Sequence, residues 1–131
     1  IIHSNTKEEF YKILHSKAND YWDTHFNFGV ASKKRGKLLT KKFIDLLLIN
    51  TVIPIKFYYA KSQGKDISEE LLELSASISK EENTIVKRFD RLKPIANNAM
   101  DSQALLQLKN MYCDPKRCLD CAVGNSILNR K

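Results

Sequence analysis

Apolar residues along this chain recur three and four positions apart, the period of an α-helix, and hardly ever alternate as they would in a half-buried strand. The first such segment opens on Thr6-x-x-Glu9, a capping box, and Phe10, Ile13 and Leu14 give it an apolar face through about His15. An aromatic-rich stretch follows from Asp20 to Phe28. Trp22 and Phe26 in it are spaced i, i+4, so the spacing predicts one helical turn carrying both on one face, ended by Gly29. Thr40 then caps the most hydrophobic helix. Phe43, Ile44, Leu47, Leu48 and Ile49 cover almost every side of it, which predicts a central, buried element. Pro54 has no N–H to donate and its ring crowds the carbonyl one turn back, so a kink or restart is expected there. Ile55, Phe57, Tyr58 and Ala60 continue the helix to a stop at Gly64.

The second half repeats the pattern. Asp66-x-x-Glu69 opens a helix with Ile67, Leu71, Leu72, Leu74 and Ile78 apolar. Ser79-x-x-Glu82 opens another, with Ile85, Val86, Phe89 and Leu92, closed by Pro94. Asn98 or Asp101 starts a helix carrying Leu105, Leu106, Leu108 and Met111, and a last short one runs from about Cys118 to Leu128. The expected fold is all-α: a compact multi-helix domain of about six to seven helices, with the central hydrophobic helix kinked at Pro54. A length of 131 residues fits one domain over 1–131. The chain begins Ile1-Ile2-His3 without a Met, which reads as the C-terminal fragment of a longer chain.

Composition narrows the class. Four Gly and three Pro are too few turn formers for a barrel or sandwich. The longest apolar run, Leu46 to Ile55, is interrupted by Asn50, Thr51 and Pro54, and its length argues against a membrane partner. Three cysteines, all within Cys113–Cys121, are an odd and crowded set rather than a disulfide framework, so a reducing, cytoplasmic location is expected. Lys and Arg outnumber Asp and Glu by 22 to 15, a net charge of +7, which permits a polyanionic partner.

Candidate chemistry sits at three places. Cys113-x4-Cys118-x2-Cys121 could hold zinc or an iron–sulfur cluster through its thiolates, with His25 as a candidate fourth ligand. No fourth cysteine accompanies them, and that missing ligand favours three reduced thiols without a cofactor. His25 within Tyr21-Trp22-x-x-His25-Phe26 is better read as a structural imidazole than as a base. Lys33, Lys34, Arg35, Lys37, Lys41 and Lys42 form a basic stretch around Gly36. It is expected as an exposed, mobile loop able to touch the phosphates of a nucleic acid, with no aromatic residue inside it to stack on bases. No P-loop, G-x-G-x-x-G, G-x-S-x-G or H-E-x-x-H motif appears, and no catalytic constellation can be assembled.

Taken together, several motifs carry a resemblance. Tyr21-Trp22-x-x-His25-Phe26-x-Phe28-Gly29 is followed by Phe43-Ile44-Asp45-Leu46-Leu47-Leu48-Ile49-Asn50-Thr51-Val52-Ile53-Pro54. Then come Ser102-Gln103-Ala104-Leu105-Leu106-Gln107-Leu108-Lys109 and the stretch from Tyr112-Cys113 to Cys118-Leu119-x-Cys121-Ala122-Val123-Gly124. From about Tyr21 to Leu128 the chain resembles the C-terminal part of an uncharacterised bacterial family, a domain of unknown function. The resemblance implies a longer protein whose β-containing N-terminal region has acidic and histidine motifs similar to metal-dependent nuclease-like folds. This helical piece would then be a non-catalytic accessory domain whose partner is the N-terminal region of its own full-length chain. A nucleic-acid-binding module is the alternative, and a metal-binding domain the third.

Overall fold

A computed structural model describes residues 3–129. The fold class is all-α, with one small hairpin. The elements are α1 (Lys7–Ile13), β1 (His25–Asn27), β2 (Val30–Ala31), α2 (Lys41–Leu47), α3 (Ile53–Ser62), α4 (Ser68–Ser77), α5 (Thr84–Leu92), α6 (Ala99–Leu108) and α7 (Ala122–Leu128). The chain divides into two compact units, 1–74 and 75–131, with the division inside α4.

In the first unit, local chemistry sets the helix ends. Thr6 accepts from the Glu9 N–H while the Glu9 carboxylate reaches back to the Thr6 N–H, so the capping box forms as the sequence predicts. Thr40 accepts from the Phe43 N–H and starts α2. A π turn over Leu48–Val52 joins α2 to α3 without a break. Its cause is Pro54, whose ring would strike the Asn50 carbonyl in a regular α-helix. Widening the turn moves that carbonyl aside, and the Ile53 N–H reaches back five residues to the Leu48 carbonyl. At the far end Gly64, at φ +67°, closes a Schellman motif: its N–H goes to the Lys61 carbonyl and the Lys65 N–H to the Ala60 carbonyl. Asp66 does not start α4 itself. Its carboxylate accepts from the Ser68 N–H and hydroxyl, and the helix begins two residues later than the motif suggested.

The π turn also explains which side of this helix is buried. Ile44, Leu48, Val52, Lys56 and Ala60 are all buried, at a constant spacing of four. In a straight α-helix that spacing drifts about 40° per step, and the extra residue of the π turn takes back much of the drift. The expectation of a helix buried on almost every side is therefore corrected. Phe43, Leu46, Ile55, Phe57, Tyr58 and Tyr59 are exposed. The helix is also longer than the apolar run in the sequence. Lys41–Ser62 is continuous for 22 residues and apolar enough to cross a membrane by length and composition, with 33% of its apolar window buried.

Two buried charged side chains of the long helix, Asp45 beside the stripe and Lys56 on it, are tied to the N-terminal segment. Asp45 accepts a 2.6 Å bond from the Tyr11 hydroxyl. Lys56, 3% exposed, donates to the Ser4 carbonyl and to Asn5 Oδ1, and burial pushes its ammonium below the ordinary lysine value. Phe10 of α1 is fully buried, with the Lys56 ammonium 5.7 Å from its ring centre. Burial and the Asp45 carboxylate together push the Tyr11 hydroxyl from 10.0 up to about 12. Because the folded value lies above the unfolded one, this bond contributes its full stability below pH 10 and loses it as pH rises toward about 12. Tyr11→Phe should cost about 1.5–3 kcal/mol near neutral pH, as for a bond to a buried charge. Urea titrations of both proteins across the alkaline range should show that difference shrinking.

The second unit is smaller and polar in its joints. Ser79 does not cap α5; it pairs with Asn98 in a short antiparallel bridge. Asn83 caps α5 by accepting from the Val86 N–H, and Asn98 caps α6 by accepting from the Asp101 N–H. Lys93 is extended, as the residue before Pro94 must be, and α5 stops there. Val86, Ala96 and Leu105 form the core with Phe89 against them. Ser102 is fully buried with both hydrogen-bonding roles used: it donates to the Ala99 carbonyl and accepts from the Glu81 N–H.

Candidate nucleic-acid interface

The aromatic stretch after α1 does not form the helical turn its spacing predicts. Asn19 caps a single 3-10 turn over Asp20–Asp23, and the chain then runs out into the β1–β2 hairpin, where His25 pairs with Ala31 and Asn27 with Val30. Gly29, at φ +71°, makes the reversal, a backbone conformation that disfavours side chains with a Cβ. β-Branched and aromatic residues at 24–31 suit an extended backbone, and that preference outweighs the i, i+4 coincidence of Trp22 and Phe26.

The hairpin holds its rings in fixed relations. Tyr21 and His25 stack face to face at 4.0 Å and 5°. Trp22 meets Tyr21 edge-on at 5.2 Å and Phe28 edge-on at 4.9 Å, and Tyr21 lies 6.2 Å from Phe28. The Gly29 N–H donates to the Tyr21 hydroxyl at 2.8 Å, fastening the turn to the cluster. His25 Nδ1 lies 2.9 Å from the Tyr21 carbonyl and 3.0 Å from the Thr24 hydroxyl. Both contacts are made by Nδ1, to a backbone carbonyl and a hydroxyl. Despite this order, the outer rings face solvent: Phe28 is 80% exposed and Phe26 65%.

The basic stretch is exposed as expected, but its backbone is pinned rather than loose. The Ser32 N–H donates to the Thr24 carbonyl at 2.6 Å, and the Arg35 N–H to the Asp23 carbonyl at 2.7 Å. Farther on, Lys17 bridges to Leu38, with the Ala18 N–H donating to the Lys37 carbonyl and the Leu39 N–H to the Ser16 carbonyl. Asp23, which is buried, anchors the stretch from beneath and also pairs with Lys17 at 3.3 Å. Lys37 is half-buried; its ammonium donates to the His25 carbonyl and lies 3.7 Å over the Phe26 ring. Lys41 lies 5.4 Å over the Tyr11 ring. Among the described residues, Lys33, Lys34 and Arg35 are exposed and make no ion pair.

The sequence contains no aromatic inside the basic stretch, yet the fold places the aromatic hairpin directly beside it. The hairpin runs directly into the basic stretch, so neighbouring parts of the chain present exposed rings and exposed cations. The signal available in the sequence was Phe28-Gly29-Val30, a turn glycine flanked by strand-forming residues ahead of the basic residues.

The cysteines take different positions. A second π turn, over Lys109–Cys113, ends α6. The chain turns through Lys116 at φ 58°, with the Lys116 N–H to the Cys113 carbonyl and the Arg117 N–H to the Tyr112 carbonyl. Cys113 and Cys118 are exposed thiols and Cys121 is buried. Among the described residues no group of three or more His, Cys, Asp or Glu side chains gathers where one metal ion could be held. The segment's tightest point is Gly124 of α7. A Cβ there would lie 2.2 Å from the Cys118 carbonyl oxygen, so Gly124→Ala must force the Cys118 turn off α7. A cost of about 1–3 kcal/mol is expected, read as earlier loss of hydrogen-exchange protection in α7.

A separate cavity of about 290 Å³ in the first unit is lined by His3, Asn5, Lys56, Tyr59, Gln63 and Glu70. Its one buried amine, Lys56, is already committed to Ser4 and Asn5. A lysine interrupting the apolar run Ile55–Tyr59 was the sequence signal for that clamp.

No curated protein and no solved structure matches the chain. A family model does, over residues 1–84, which span the hairpin, the basic stretch and the long helix, while α6 and the cysteines lie beyond the match. The chain therefore belongs to the family described as protein of unknown function (DUF2851).

Proposed function

We propose that this chain is a non-catalytic binding module, accessory to the remainder of a longer protein, and that its hairpin and basic stretch form a nucleic-acid-contacting face. The observation that carries this reading is the tie between the basic stretch and the root of the aromatic hairpin, made by the Ser32 and Arg35 N–H groups and the Lys37 ammonium. Exposed cations on a fixed backbone lose little conformational entropy when they meet phosphates, and the net charge of +7 favours the encounter. Lys33, Lys34 and Arg35 are the phosphate-contacting residues in this reading; Lys37 positions the hairpin. Fluorescence anisotropy with a labelled oligonucleotide at several salt concentrations tests it. Binding that weakens linearly in log salt is the expected outcome, and the absence of binding at low salt ends the proposal.

A second reading rests on the exposed side of the long helix. Phe43, Leu46, Ile55, Phe57, Tyr58 and Tyr59 form an apolar surface too rich in large side chains to be explained as isolated exposed residues. It would dock the N-terminal region of the full-length chain, the accessory role that the family resemblance implies. The two readings use different surfaces of the first unit and are compatible.

A further inference from the structure

Phosphate contacts alone do not distinguish paired from unpaired strands, but the hairpin can. We infer that the face recognises single-stranded nucleic acid by stacking an unpaired base on Phe28; this rests on the nucleic-acid reading above. Three observations converge on it. Phe28 is 80% exposed, although an aromatic ring of that size is normally drawn into a core. It is not loose, because Trp22 meets it edge-on at 4.9 Å and the Gly29 N–H next to it is bonded to the Tyr21 hydroxyl. The Ser32-to-Thr24 and Arg35-to-Asp23 bonds tie the basic stretch to the root of the hairpin that carries Phe28 at its turn, so the exposed cations and the exposed ring belong to one short tied segment.

The chemistry follows from those positions. A base in a duplex has both faces covered by its neighbours and cannot reach a side chain that projects from a two-stranded turn. An unpaired base can rotate out and lay one face on Phe28. Every base has a π face, so such a platform is tolerant of sequence. Lys37 lies over Phe26 and donates to the His25 carbonyl, which holds β1 in place beneath the turn that carries Phe28. The chain carries a single tryptophan, and because Trp22 touches Phe28 its fluorescence reports directly on this site.

The test compares three probes of equal length, about twelve nucleotides as suits a small single-strand site: an oligodeoxythymidylate, the same backbone with abasic sugars, and the duplex formed with oligodeoxyadenylate. The single strand should bind about tenfold or more tighter than either other probe and should quench Trp22. Phe28→Ala should bring the single strand down to the abasic level and leave abasic binding unchanged, which also shows that the basic stretch remains folded. Phe28→Leu keeps an apolar side chain against Trp22 and should lose the same preference, whereas Phe28→Tyr should retain it. Equal binding of the single strand and its abasic counterpart, unaffected by Phe28→Ala, overturns the stacking inference while the phosphate-contact reading stands. Loss of abasic binding in Phe28→Ala but not in Phe28→Leu makes the ring a hairpin strut and likewise overturns it. Failure of all three probes to bind overturns both.

Discussion

Replacing Lys33, Lys34 and Arg35 together with alanine is expected to reduce single-strand binding by about two to three orders of magnitude at roughly 50 mM salt. Each phosphate neutralised releases about 0.7 of a counterion from a single strand, which at that salt is worth nearly a decade of affinity. The three side chains are exposed and share no ion pair among the described residues, so each is free to meet a phosphate. Thermal stability should be almost unchanged, since the bonds that pin this stretch run through the backbone at Ser32 and Arg35. Lys37→Ala should behave differently. Its ammonium is bonded to the His25 carbonyl and covers Phe26, so its removal loosens the hairpin as well as weakening binding. Binding and melting curves measured on the two variants separate a phosphate contact from a positioning residue.

Leu48→Ala is expected to cost about 2–5 kcal/mol, the range for a leucine deleted from a closed core. Leu48 is fully buried at the start of the π turn, whereas Leu46, two residues earlier, is 44% exposed. Leu46→Ala should therefore change stability by no more than about 0.5 kcal/mol. The contrast checks the direction in which the long helix faces. A helix buried on every side, as its composition suggests, would give two large losses; the observed stripe gives one. If Leu46→Ala proves costly, the apolar side proposed to dock the N-terminal region is already covered by something else.

Much of the architecture was legible in the sequence because it depends on local chemistry. Thr6, Thr40 and Asn98 begin helices since each places a side-chain oxygen over free N–H groups. Gly64 and Pro94 end them through conformations that few other residues share. The π turn was only half legible: Pro54 announces a disturbance, but a kink and a widened turn both relieve its clash, and packing of the Ile44–Ala60 stripe selects the second. Ser79 misled because a capping box competes with strand-like pairing, and the bridge to Asn98 is made across some twenty residues of chain.

The candidate site failed to show itself for a similar reason. Trp22 and Phe26 at i, i+4 resemble a helical pair, and only the long-range bonds between residues 23–24 and 32–35 disclose a hairpin. The basic residues were readable one by one; their neighbours were not. The cysteines illustrate the reverse. Their spacing is conspicuous in sequence, yet the chain between them is a turn built by Lys116 at positive φ and closed against Gly124, with two thiols outside and one inside.

In the proposed function the pinned basic stretch and the aromatic hairpin act as one face for nucleic acid. Its most direct test is the salt dependence of binding of a single-stranded oligonucleotide to the native chain. Three phosphate contacts predict a slope of log affinity against log salt near about −2, with Trp22 quenched across the titration. A flat line, or no binding at the lowest salt, would contradict it.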